Sequence, residues 1–89
     1  MAVRRRVVVR GRVQGVFFRD STRSQAVGAG VAGWVRNRDD GAVEAVLEGP
    51  EAAVATVVDW CSRGPWDASV TDVQAVVEEP EGLEGFEVR

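Results

Sequence analysis

Apolar and polar residues alternate in several short stretches of the chain, a pattern typical of β-strands. The β-branched run Val7-Val8-Val9 ends near Gly11 and predicts a strand covered on at least one face. Alternation over residues 31–36 and again over residues 42–48 predicts two further strands. Asp40-Gly41 lies between these two stretches and is a strong signal for a hairpin turn.

Two other stretches repeat with helical spacing. Residues 18–29 predict a first helix that stops at Gly28 and Gly30, and one side of it carries Phe18, Thr22, Ala26 and Ala29. Pro50 suits the first turn of a second helix, because its missing N–H would have no helical partner there. One face of that helix would carry Val54, Val57, Val58 and Cys61, and Gly64-Pro65 would end it.

Alternation at Val73, Ala75 and Val77 predicts a fourth strand, and Phe86 and Val88 predict a short final one. The order of elements is then β-α-β-β-α-β with an extra C-terminal strand. This order predicts an α+β, ferredoxin-like βαββαβ sandwich, in which two helices cover one face of a mostly antiparallel sheet. No repeat or linker interrupts the pattern, so we expect residues 1–89 to form a single domain.

The composition restricts the chemistry that the chain can perform. Its 89 residues are 45% hydrophobic and 28% charged, as in soluble globular proteins. The sequence has no histidine, which excludes imidazole catalysis, and its single cysteine excludes an intramolecular disulfide and a cysteine-based zinc cluster. We therefore expect no metal and no cofactor. No apolar run is long enough for a signal peptide or a membrane span, so the expected compartment is the cytoplasm.

Charge is distributed unevenly along the chain. Nine of the 11 basic residues lie in residues 1–38, and 13 of the 14 acidic residues lie in residues 39–89. We expect Arg4-Arg5-Arg6 to be a solvated start of the first strand. These residues would raise the local positive potential, which attracts anions. The acidic residues Glu78, Glu79 and Glu81 are expected to form a charged loop.

The segment 11–19 joins the first strand to the first helix and is the first candidate for chemistry. Gly15 can adopt backbone angles closed to other residues, and a tight turn there would aim successive N–H groups at one point. Arg19 lies at the helix start, where the helix dipole disfavours a cation. This position costs a little stability unless an anion is shared between the guanidinium and those amides. The alternative is an ordinary strand–helix turn with an exposed arginine.

Asn37, just before Asp39-Asp40-Gly41, is the second candidate. An asparagine here is commonly a turn former. Its amide can also donate and accept hydrogen bonds together, which suits the orientation of a water molecule. The residue alone does not decide between these two roles.

Two longer motifs carry a resemblance to a known family. Residues Val9 to Arg19, VRGRVQGVFFR, resemble the first signature of the acylphosphatase family, and Gly33-Trp34-Val35-Arg36-Asn37 with residues 40–44 and Gly49 resembles the second. The resemblance covers nearly the whole chain and implies the ferredoxin-like fold and hydrolysis of an acyl phosphate to a carboxylate and inorganic phosphate.

The resemblance also implies which residues act. Arg19 would bind the phosphoryl oxygens together with backbone N–H groups of the loop, and Asn37 would position the attacking water. The other substrate-binding residues of that loop would be Gln14, Gly15, Val16, Phe17 and Phe18. The partners would be a small-molecule acyl phosphate and product phosphate, with no cofactor, nucleic acid or membrane, and the expected state is a monomer.

Two other functions remain open at this point. A binding module could hold a phosphate or carboxylate without turnover, although a chain of this length that carries both Arg19 and Asn37 favours an enzyme. RNA-recognition modules share the predicted topology, but they display aromatic residues on central strands, where this chain has Val7-Val8-Val9.

Overall fold

The computed structural model describes residues 2–89 and contains five strands and two helices. In chain order these are β1 (Ala2–Arg12), α1 (Phe18–Ala29), β2 (Ala32–Asn37), β3 (Val43–Pro50), α2 (Glu51–Cys61), β4 (Ser69–Glu78) and β5 (Phe86–Val88). All seven predicted elements are present in the predicted order.

The strands form one five-stranded sheet in the order β4-β1-β3-β2-β5. Antiparallel pairing joins β1 to β3, β1 to β4 and β2 to β3, and the β2–β5 pair is parallel. The α+β, ferredoxin-like class predicted from the order of elements is confirmed. Neither helix in the described part of the chain has the length and apolar character needed to cross a lipid bilayer.

Both helices pack on one face of the sheet and form the hydrophobic core with it. Phe18, Thr22 and Ala26 of α1 are buried, and so are Val54, Val57 and Cys61 of α2. Burial raises the pKa of the Cys61 thiol to about 12, which keeps this side chain neutral inside the core.

Pro50 differs by one position from its expected place. It pairs with Ala2 at the end of β3 and is the residue just before α2, with ψ at 140°. Because the strand pairing holds Pro50 in an extended conformation, the first helical residue is Glu51.

The sheet face opposite the helices carries ion pairs. Arg4 is only 5% exposed, and its guanidinium lies 2.7 Å from the carboxylate of Glu48 and 2.8 Å from that of Glu78. Arg6 pairs with Glu44 and Glu78. The expectation of a solvated basic start to β1 is therefore wrong, because β1 lies between two strands that carry acidic residues.

Glu48 also fixes a segment that crosses this face. Its two carboxylate oxygens accept hydrogen bonds from the backbone N–H groups of Glu81, Gly82 and Leu83 at 3.0–3.1 Å. Burial would raise the pKa of Glu48, but the Glu81 amide and the Arg4 guanidinium outweigh it and hold the pKa below its usual range. Two of the three acidic residues expected to form a charged loop, Glu78 and Glu81, pair instead with Arg4 and help to hold the chain on the sheet.

Acid should remove part of the fold's stability through these carboxylates. The pKa of Glu48 is lowered in the folded state, so its contribution is present above the usual glutamate pKa and lost as the pH falls through the lowered value. We expect the free energy of unfolding, measured by urea titration, to fall between about pH 5 and pH 3.

The Glu48→Gln variant tests this origin directly. At pH 7 it should lose about 2 kcal/mol of unfolding free energy, since the charge-assisted hydrogen bonds of the carboxylate are weakened. Its stability should then depend less on pH than that of the wild type. The exposed Glu79 provides a matched control through Glu79→Gln. An unchanged pH dependence in Glu48→Gln would contradict this assignment.

Candidate active site

A cavity of about 330 Å³ lies where the β1–α1 connection meets the end of β2. Its walls come from both segments that the sequence singled out: Val13, Gly15, Phe17, Phe18, Arg19, Asp20 and Asn37. The fold thus brings Arg19 and Asn37, which are 18 positions apart in the chain, to the same cavity.

The loop before α1 turns through two residues with positive φ. Gly15 has φ of 75°, and Phe17 has φ of 61°, a left-handed conformation that is unusual for a side chain of this size. Phe17 is the N-cap residue just before α1, and no side chain among residues 2–89 caps this helix end with a hydrogen bond. The first amides of a helix have no partner within the helix. They are therefore available to an anion in the cavity, where the helix dipole also favours negative charge.

Two loop side chains anchor this turn in the core. Val16 is 5% exposed and Phe18 is 2% exposed, and the Phe18 ring centroid lies 5.4 Å from that of Trp60. Any contact of Val16 or Phe18 with a polar ligand would therefore use the backbone. Because alternate side chains of the loop are packed inward, its backbone is held in a fixed shape.

Arg19 follows Phe18 in the first turn of α1 and is half-buried. One of its terminal nitrogens, Nη1, donates a hydrogen bond to the main-chain oxygen of Arg89 at 2.9 Å. Arg89 is itself fixed, because its N–H donates to the Val35 carbonyl at 2.8 Å and its guanidinium lies 4.6 Å from the ring centroid of Trp34. The guanidinium of Arg19 is thus supported on one side and keeps donors for a ligand in the cavity.

Asn37 is the last residue of β2, where it pairs with Val43 of β3. The side chain is half-buried, and within residues 2–89 its amide makes no hydrogen bond to another protein group. It is therefore not engaged in forming the turn, which was one of its two expected roles. The amide can donate to and accept from a small molecule in the cavity.

The side chain of Gln14 is engaged within the protein. Its amide nitrogen donates to the main-chain oxygens of Arg38 at 2.7 Å and Ala42 at 3.0 Å, in the turn between β2 and β3. Gln14 and Val16 do not line the cavity, whereas the other five predicted site residues do.

Val13 and Asp20 line the cavity but were not singled out from the sequence. Val13 is 1% exposed and contributes an apolar wall. Asp20 is an exposed acid in the first turn of α1, a position that the helix dipole favours. Its position directly after Arg19 was the only signal in the sequence that could have indicated it.

Comparisons with known proteins identify similar sequences and a similar fold. The sequence model of the acylphosphatase family matches residues 5–88. An acylphosphatase of Haloquadratum walsbyi is 58% identical over 86 residues, covering 97% of this chain and 92% of the relative. An acylphosphatase of Gloeobacter violaceus is 58% identical over 87 residues, covering 98% of this chain and 94% of the relative. The crystal structure of acylphosphatase from Bacillus subtilis has a TM-score of 0.95 at 40% identity, covering 100% of this chain and 99% of that one.

Proposed function

Since the chain belongs to the acylphosphatase family and hydrolyses the carboxyl–phosphate bond of acyl phosphates, we propose how its own residues carry out this reaction. Arg19 and the amides at the start of α1 bind the phosphoryl group. Asn37 holds the attacking water in line with the bond that breaks. A bond forms between the water oxygen and phosphorus, and the bond between phosphorus and the acyl oxygen breaks.

The leaving group explains why no histidine is needed. A carboxylate whose conjugate acid has a pKa of about 4 departs without a general acid. Phosphoryl transfer has a loose transition state in most analyses, so the incoming water needs orientation more than deprotonation. The two protons of the water end on the phosphate product and in solvent. The protein's task is therefore to stabilise charge and hold the reacting groups in line.

Arg19 and the helix start suit that task. A guanidinium can bind two phosphoryl oxygens at once through parallel N–H donors. The uncapped amides that begin at Phe17 add donors whose positions are fixed by the buried side chains on either side. Together they oppose the negative charge on the equatorial oxygens of the transition state without rearrangement of the protein.

Asn37 suits the orientation of water rather than its deprotonation. A neutral amide is a poor base, but it can accept one hydrogen bond from the water and donate another to a neighbouring oxygen. We therefore assign the first proton of the water to a phosphate oxygen of the substrate. A rate that does not change with the protonation state of the substrate would contradict this step.

The proposal depends on one observation. Arg19 and Asn37, from two separate motifs, line one cavity that also contains a helix start without a side-chain cap. All of these groups belong to one chain, so a second copy is not needed to complete the cavity. We propose that residues 1–89 act as a single-domain monomer in the cytoplasm.

Hydrolysis of benzoyl phosphate by the purified wild type tests this proposal. We expect turnover that a metal chelator does not affect and that inorganic phosphate inhibits competitively. In analytical ultracentrifugation, the active protein should sediment as a species of 9.6 kDa. Loss of activity on chelation would contradict the metal-free mechanism. Phosphate binding by the folded protein without turnover would instead favour a binding module. Salt-sensitive binding of RNA oligonucleotides would support the remaining alternative.

A further inference from the structure

Gln14 connects the loop before α1 to the turn after Asn37. Its amide nitrogen donates to two main-chain oxygens, those of Arg38 and Ala42, which lie 24 and 28 positions further along the chain. We propose that Gln14 is a positioning residue: its side chain holds the end of β2 so that Asn37 keeps its position relative to the amide loop, residues 13–17 before α1. This inference rests on the proposed role of Asn37 in placing the water.

Both oxygens bonded by Gln14 belong to the backbone pairs that close the turn. The Arg38 N–H donates to the Ala42 carbonyl at 2.8 Å, and the Gly41 N–H donates to the Arg38 carbonyl at 3.2 Å. Gln14 adds one donor to each carbonyl from outside the turn. The two acceptors also fix the orientation of the amide, since a flipped group would place its own oxygen against two carbonyl oxygens.

The position of Asn37 makes this connection important for the reaction. Asn37 is the last residue of β2, and Arg38, the next residue, is bonded directly to Gln14. Gln14 in turn lies between Val13 and Gly15, two loop residues that line the cavity. The hydrogen bonds therefore link the two halves of the site, which the chain itself connects only through the whole of α1 and β2. A small displacement of a reacting group lowers the rate strongly.

The Gln14→Met variant removes both donors and keeps a side chain of similar length. We expect its kcat for benzoyl phosphate to fall about tenfold, while the inhibition constant for inorganic phosphate stays at the wild-type value. The matched control is Gln25→Met, since Gln25 is exposed on α1, away from the cavity. A tenfold rise in the inhibition constant for inorganic phosphate would overturn the proposal, because it would show a general disturbance of the amide loop.

Coupling to Asn37 separates positioning from a merely structural role. In an Asn37→Ala background, Gln14→Met should cause no further loss of kcat, because the group that it positions is gone. A full additional tenfold loss in that background would overturn the proposal. If Asn37→Ala alone leaves kcat unchanged, the proposed role of Asn37 fails instead, so the two failures are distinguishable.

A spectroscopic measurement gives an independent reading. Asn37 is the only asparagine in the sequence, so selective ¹⁵N-asparagine labelling yields a single side-chain amide signal. We expect this signal to shift or broaden in Gln14→Met and to stay unchanged in Gln25→Met. If Gln14→Met does not fold, Gln14→Glu takes its place, because it keeps the shape but cannot donate when ionised. An unperturbed Asn37 signal in the folded variant would overturn the proposal.

Discussion

Replacement of Arg19 by alanine is expected to lower kcat/KM for benzoyl phosphate by about 10³-fold. The variant loses a permanent positive charge and a planar pair of donors at the point where the phosphoryl oxygens are bound. Inorganic phosphate presents the same oxygens, so its inhibition constant should rise as well. Steady-state kinetics with benzoyl phosphate, with and without added phosphate, measure both effects.

Two further variants identify the cause of the loss. Arg23 lies on α1 one turn after Arg19 and is exposed, so Arg23→Ala removes the same charge from outside the cavity and should stay near the wild-type rate. Arg19→Lys keeps a charge but lacks the planar fork, and we expect it to recover only part of the activity. If Arg23→Ala were as impaired as Arg19→Ala, the effect would come from the overall positive potential and not from a direct contact.

Replacement of Asn37 by alanine should lower kcat about 10²-fold, the loss typical for removal of one neutral transition-state contact. In contrast to Arg19→Ala, this variant should bind inorganic phosphate as the wild type does, because the phosphoryl site at the start of α1 is intact. Single-turnover kinetics together with phosphate inhibition separate these two quantities. A variant that lost phosphate binding instead would place Asn37 in the phosphoryl site.

The Asn37→Asp variant distinguishes orientation of the water from base catalysis. Aspartate has nearly the same shape, but it cannot donate when ionised, and it brings a negative charge towards the substrate phosphate. We expect it to be at least as impaired as Asn37→Ala. Activity equal to or above that of the wild type would show that position 37 removes a proton from the water.

Much of the fold could be predicted because local patterns determine each element. The boundaries of α1 agree with residues 18–29, since the 3.6-residue spacing of its buried side is a property of that segment alone. The short β5 could be predicted from Phe86 and Val88, because the alternation that indicates a strand also lies within one short segment. The sequence pattern misplaced Pro50 by one position, because its pairing with Ala2, which is distant along the chain, decides where α2 begins.

The candidate site could be predicted only in part. Gly15, Arg19 and Asn37 stand out through their residue types and motifs, and the cavity brings them together. The side chain of Gln14 was not predicted to bond the β2–β3 turn, since its acceptors are backbone oxygens that no residue type reveals. The support of Arg19 by Arg89 could not be predicted either, because that contact spans 70 positions.

The uneven charge of the chain shows what each level of structure decides. By itself, the sequence determined the order of elements, the fold class and the family, since these depend on periodicity and motifs within short segments. It could not show that the basic residues of β1 are neutralised by acidic residues of β3 and β4. Only the tertiary structure decided that pairing and the cavity that Asn37 and Arg19 line together. Contacts between distant segments depend on how strands and helices are arranged in space, and no local pattern encodes that arrangement residue by residue.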